Sequence, residues 1–183
     1  MFQLNPSLIP ILASIITGAA AFLGVLLTNK FHFKRIKLEH DIEAERKRQD
    51  LYRDRGEELY VSVEKWLSGI QTNYLSVLRV MQGKLTYDGH TELTIKSAEK
   101  QTHDFTRLEM LIDVYFPETK SLYMKVHEAR KAINKVWFEH ERQYEGGDTD
   151  GLRFIAPFVD AQNAFETAGT HLKEQIKKCI SAA

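Results

Sequence analysis

The chain has 183 residues with 25 Lys/Arg against 25 Asp/Glu, long enough for one ordinary domain and an appendage. The zero net charge hides a segregation: residues 1–29 carry no charged side chain, Lys30–Arg55 carries a net +3, and Gly56–Ala183 a net −3. A mildly acidic body argues against a nucleic-acid partner, and a single cysteine, Cys179, excludes an intrachain disulfide and suits a reducing compartment.

In chain order, the first element is Leu8–Thr28, "LIPILASIITGAAAFLGVLLT", 21 residues without a charge. At about 1.5 Å per residue it reaches about 31 Å, matching a hydrocarbon core of about 30 Å. Ser7 suits the N-cap and Pro10 the first turn. The cations follow the apolar run instead of preceding it, and "TNKFHFK" offers no small-x-small cleavage site. The pattern therefore predicts a retained transmembrane helix, not a cleaved signal. Residues 1–29 form the tail and span, 30–55 a juxtamembrane stem helix and 56–183 a cytoplasmic four-helix bundle.

Orientation follows from the same asymmetry. Lys30, Lys34, Arg35 and Lys37 come directly after the span and no cation precedes it, so the N-terminus is expected outside and the body in the cytoplasm, at the inner (cytoplasmic) membrane. These four cations are candidate contacts for anionic lipid, at about 1 kcal/mol each near the surface. Phe31 and Phe33 sit where aromatic rings anchor a span. Ser14, Thr17, Gly18, Ala21 and Val25, with Thr28, share one helical stripe whose small residues would let two spans approach closely. Membrane lipid and a second copy of the chain are the expected partners.

The stem is charged at sixteen of the 25 positions from Lys34 to Glu58. Glu43–Lys47, Glu43–Arg46, Glu45–Arg48 and Asp50–Arg53 are spaced for helical pairing, each at about 0.2–0.5 kcal/mol. Ile36, Leu38, Ile42, Leu51 and Tyr52 do not sustain the three heptads a coiled coil needs. The stem reads as a solvated continuation of the membrane helix.

At Gly56 the pattern changes. Leu59, Val63, Trp66, Leu67, Ile70, Tyr74, Val77, Leu78 and Met81 recur at helical spacing. "GKLTYDGH" (Gly83–His90) reads as a loop, and a second helix is expected over Thr91–Tyr115 with Ile95, Ala98, Thr102, Phe105, Leu108, Ile112 and Tyr115 inward. "YFPE" breaks the chain, because the residue before Pro117 is pushed out of the helical region and proline suits a first turn. A third helix to about Gln143 would bury Leu122, Val126, Ala129, Ile133, Val136 and Trp137. After the "EGGDTDG" loop, a fourth over Pro157–Ile180 would bury Phe158, Ala161, Phe165, Ala168, Leu172, Ile176 and Cys179. Four apolar stripes with short connections predict an all-α antiparallel bundle.

The stretch "RLEMLIDVYFPETKSL" (Arg107–Leu122) resembles uncharacterised bacterial single-span membrane proteins with a cytoplasmic helical body, in which a helix ends in Tyr-Phe-Pro. The resemblance extends to the whole-chain layout and implies no activity and no functional residues.

Chemistry is sparse. No histidine has a glutamate three residues before it, as a di-iron bundle needs, and His127-Glu128 and His140-Glu141 lack the second zincin histidine. His140 reads as a hydrogen-bonded boundary histidine, Cys179 as a packed thiol, and Trp66, Trp137 and Phe165 as core. "RIKLEH" (Arg35-x4-His40) resembles the Arg-x4–6-His motif of HEPN ribonucleases, helical bundles in which the pair acts on a phosphodiester. That family places the motif inside a bundle, whereas here it lies on the stem beside the bilayer, where Arg35 serves topology. No catalytic set, metal or cofactor is expected. The leading reading is a non-enzymatic membrane-anchored interaction protein that oligomerises or docks a cytoplasmic partner. The alternatives are a membrane-acting effector, such as a toxin or phage-defence component, and a HEPN-like ribonuclease.

Overall fold

Between Gly24 and Gly56 the chain has neither glycine nor proline and is rich in Leu, Glu, Lys and Arg, so nothing interrupts a helical ladder. The computed structural model describes residues 9–98 and 104–182, and within residues 9–20 the side chains of Ser14, Thr17 and Gly18 alone. All regular structure described is helical: α1 (Ile9–Met81), α2 (Tyr87–Ala98), α3 (Phe105–Tyr115), a 3-10 turn (Pro117–Thr119), α4 (Lys120–Glu145) and α5 (Leu152–Ser181). The chain divides into two units, Met1–Gln49 and Asp50–Ala183.

The described part of the first unit is helix with every side chain exposed. Thr28 Oγ1 donates back to the Gly24 carbonyl at 2.8 Å, and Glu43 and Lys47 pair at 2.8 Å. Among the described residues no helix is long and apolar enough to cross a membrane. Of the expected Leu8–Thr28 span, Leu8 and the side chains of residues 9–13, 15, 16, 19 and 20 lie outside the described residues, the rest is exposed helix, and what the structure shows is an all-helical fold.

The second unit closes around one core. From α1, Leu59, Val63, Trp66, Tyr74 and Val77 are buried against Leu111 and Ile112 of α3, Val126 and Ile133 of α4, and Phe158, Phe165, Leu172 and Ile176 of α5. Tyr74 sits at the centre. Its ring meets Trp137, Phe158 and Phe165 edge-on at about 6 Å, and its hydroxyl donates to Asn134 Oδ1 at 3.0 Å. Close approach is bought with glycine at two crossings: a Cβ on Gly169 would lie 2.8 Å from Leu67 Cδ1, and one on Gly151 would overlap the Met81 backbone. Lys173–Glu64 at 2.7 Å and the Arg55–Glu58–Arg107 cluster tie the helices at the rim.

Three expectations are corrected. The helix foreseen over Thr91–Tyr115 is two helices. α2 starts at Tyr87, four residues inside the foreseen loop, with Thr86 Oγ1 accepting the Gly89 N–H. α3 starts afresh because Asp104 accepts the Arg107 N–H at 2.9 Å, an N-cap that needs a chain entering from outside the helix. With the register reset, Ile95, Ala98 and Phe105 are exposed instead of inward, while Thr102 lies outside the described residues. Finally, α5 begins at Leu152, not Pro157: Asp150 accepts the Leu152 N–H at 3.0 Å, and Phe154 is buried one turn before the proline. The Phe116–Pro117 break stands where it was read, Phe116 at φ −132°, ψ 51° capping α3 while its ring packs 4.7 Å from Tyr52.

Candidate functional site

The residues singled out in the N-terminal unit lie on the open surface of α1. Ser14, Thr17, Gly18, Ala21 and Val25 are exposed, and among the described residues nothing comes within 4 Å of the position a Cβ would take on Gly18. Phe22, Leu23, Leu26, Leu27, Phe31 and Phe33 are exposed as well. Lys30, Lys34 and Lys37 project into solvent, whereas Arg35 donates from Nε to Glu39 Oε1 at 2.8 Å, a bond that raises its guanidinium pKa. Five residues separate Arg35 from His40, about 140° of rotation on a helix, so within one chain the two do not converge on a common point. Arg35 is committed to the neighbour one turn on.

In the second unit, three histidines are built into the packing. His140 is completely buried beside Phe154, its Nδ1 2.7 Å from the Tyr87 hydroxyl; its Nε2 has no partner among the described residues. His90 is buried with Nδ1 2.7 Å from Ser76 Oγ and its ring edge-on to Trp137. His127 packs 5.2 Å from Trp66 and 4.5 Å from Tyr123. Burial is the leading cause that lowers the pKa of each, so all three sit neutral at pH 7. Together they dock α2 and α4 on α1. Cys179 is half-buried, its thiol pushed up to about 11 by burial and then by the nearby Glu118 carboxylate, which removes nucleophilic character at neutral pH. Among the described residues no three His, Cys, Asp or Glu side chains are grouped to hold a metal.

A groove that the sequence reading did not foresee runs between α1 and α2. On α1, Trp66, Ile70, Asn73, Ser76 and Arg79 recur at helical spacing along its length, about 20 Å from end to end. Leu93 and Thr94 of α2, Phe105 of α3 and Arg130 of α4 complete the walls, enclosing about 710 Å³. Two polar pairs hold α2 in place: Thr94 Oγ1 donates to Asn73 Oδ1 at 2.9 Å, and Ser76 meets His90 as described.

Among the described residues, the charges lining this groove are all positive: Arg79, Lys96 and Arg130. Lys96 is paired with Glu92 at 2.7 Å, while Arg79 and Arg130 form no salt bridge among the described residues. The Trp66 indole N–H is buried without an acceptor there. Apolar side chains stand at the mouth, Leu75 57%, Leu93 45% and Phe105 44% exposed. The signal for it was present in the sequence as Leu75, Leu93 and Phe105, apolar residues that a correctly phased α1, α2 and α3 leave off the core stripe.

The chain matches no protein-family model, no curated protein and no solved structure.

Proposed function

We propose that the protein is a non-enzymatic, membrane-anchored helical interaction protein. The observation that carries this is the contrast within α1. From Phe22 to Phe33 it presents seven large apolar side chains that are exposed, followed by Lys34, Arg35 and Lys37. Apolar surface of that density needs a cover, and a bilayer supplies it to a helix that satisfies its own backbone. The uncharged Leu8–Thr28 run supplies the length of a single span, and Lys30, Lys34, Arg35 and Lys37 then hold the inner leaflet, with residues before the span outside and the bundle in the cytoplasm. Copies of the chain associate through the Ser14, Thr17, Gly18, Ala21 and Val25 stripe, and the bundle docks a cytoplasmic partner.

Alkaline carbonate extraction of membranes from expressing cells tests the anchor. The full chain is expected to stay in the membrane pellet, and the Leu23→Lys/Leu26→Lys variant to move to the supernatant with its helical circular dichroism intact. A wild-type chain that carbonate strips off defeats the proposal. Dye release from vesicles carrying the chain would favour the bilayer-breaching effector instead.

A further inference from the structure

We propose that the groove between α1 and α2 is a binding site for an amphipathic organic anion: a carboxylate or phosphate head met by Arg79 or Arg130, with an apolar body along Ile70, Leu75 and Leu93. The site is independent of membrane attachment, since every residue in it belongs to the Asp50–Ala183 unit.

Three observations converge on that chemistry. The first is charge. Among the described residues no carboxylate lines the groove, and two guanidinium groups enter it from different helices without an ionic partner there. Arg130 neighbours the Tyr74 hydroxyl, which places its cation at the core side of the groove, whereas Arg79 stands three turns further along α1 than Ile70–Trp66. Arginine presents a planar fork of donors that matches carboxylate and phosphate oxygens, and it keeps its charge at any physiological pH.

The second is the orphan donor. Trp66 is 1% exposed, lines the groove and holds a buried indole N–H with no acceptor among the described residues. A buried donor left unpaired costs about 1–3 kcal/mol, and the ring that carries this one forms part of the groove wall. Among the described residues, the one buried side-chain polar atom of the groove wall without a partner is therefore a donor.

The third is shape and surface. A cleft of about 710 Å³ lies within the range that small organic ligands occupy. Its walls combine Ile70, Leu75, Leu93 and Phe105 with the hydroxyls of Thr72 and Ser97, an apolar trough with a few fixed polar points. An inorganic anion would leave that apolar wall uncovered, and a neutral hydrocarbon would leave the arginines unmet.

The test uses the full chain in phosphatidylcholine nanodiscs with Trp137→Phe, so that Trp66 is the sole tryptophan. Octanoate and octyl phosphate are titrated against Trp66 fluorescence, with empty nanodiscs subtracted. Saturable binding of either anion is expected, at least tenfold tighter than octan-1-ol and octylamine, and the tighter of the two anions identifies the head group. At least one of Arg79→Gln and Arg130→Gln should weaken it about tenfold, and that variant marks where the head sits. Leu75→Glu, at an exposed position that folding does not depend on, should abolish it while thermal unfolding by circular dichroism is unchanged. The proposal is overturned by no saturable binding of either anion, by equal binding of the alcohol or the amine, or by arginine variants that bind as the parent does.

Discussion

The two units of this chain handle apolar side chains in opposite ways. In Asp50–Ala183, Leu59, Tyr74, Phe158 and Ile176 disappear into a common core assembled from four helices. In the N-terminal unit the same residue types, Phe22, Leu23, Leu27 and Phe33, remain exposed on a helix that is the one element among its described residues. A helix packed by its neighbours owes its stability to burial, whereas one exposed all round rests on propensity and on weak pairs such as Glu43–Lys47. The difference teaches that the stability of the bundle and the placement of the protein are written in separate residues, and substitutions should separate them.

The largest effect is expected in the core. Phe158→Ala removes a ring that is 0% exposed and that Tyr74 meets edge-on, and chemical denaturation of the bundle should show a loss of about 3–5 kcal/mol. Next, Gly151→Ala would drive a Cβ into the backbone of Met81, which cannot swing aside as a side chain can, so a loss of about 1–3 kcal/mol or more is expected in the same assay.

Acid should then act on the bundle through its histidines. Each of His90, His127 and His140 has a folded pKa below its ordinary 6.5, so below that value the unfolded chain takes up protons first and stability falls with pH. The loss should continue until pH passes the lowered folded values. Glu58, held down to about 2 by hydrogen bonds from Arg107 and Arg55, acts in a lower window: its contribution is complete above about 4.5 and disappears as pH falls toward 2. Thermal unfolding from pH 8 to pH 3 should therefore show a decline that begins near 6.5 and steepens below 4.5. A flat profile between 7 and 5 would contradict the neutral buried state of the three rings.

Smaller again is Glu58→Gln, which weakens a half-exposed cluster and should cost about 1 kcal/mol or less. Smallest is Phe33→Ala: its ring is 74% exposed, so bundle stability should change by less than about 0.5 kcal/mol, while membrane retention is where a change would register.

How far the structure could be read in the sequence depended on whether a stripe was long and uninterrupted. On α4, Val126 and Ile133 are buried where helical spacing puts them, with Leu122, Ala129, Val136 and Trp137 packed at the edge of the core. The Phe116–Pro117 break was equally plain, since the constraint is local to two residues. The α2–α3 region was misread because Ile95, Ala98 and Phe105 extrapolate smoothly from Leu108 and Ile112 on paper; the Asp104 cap interrupts that phase, and a capping aspartate looks like any polar surface residue. Pro157 misled in the other direction. It suggested a helix start, but Asp150 and buried Phe154 already fix the first turn of α5, and the proline is carried inside. The groove stayed hidden for a related reason: it arises where α2 stands apart from α1, and the periodicity of one helix carries no information about the space between two. His140 was placed inward correctly, yet its partner Tyr87 is 53 residues away and lay in a stretch read as loop.

Hydrogen exchange of the full chain in phosphatidylcholine vesicles tests the central contrast most directly, since it reads each stretch of α1 separately. If a bilayer covers the N-terminal apolar run, amides over residues 21–28 should stay protected for hours, as should those over 59–81 in the bundle, while amides over 38–48, exposed in the charged stem, exchange within minutes. Exchange over 21–28 as fast as over 38–48 would contradict the account, because the apolar run would then lie uncovered in water.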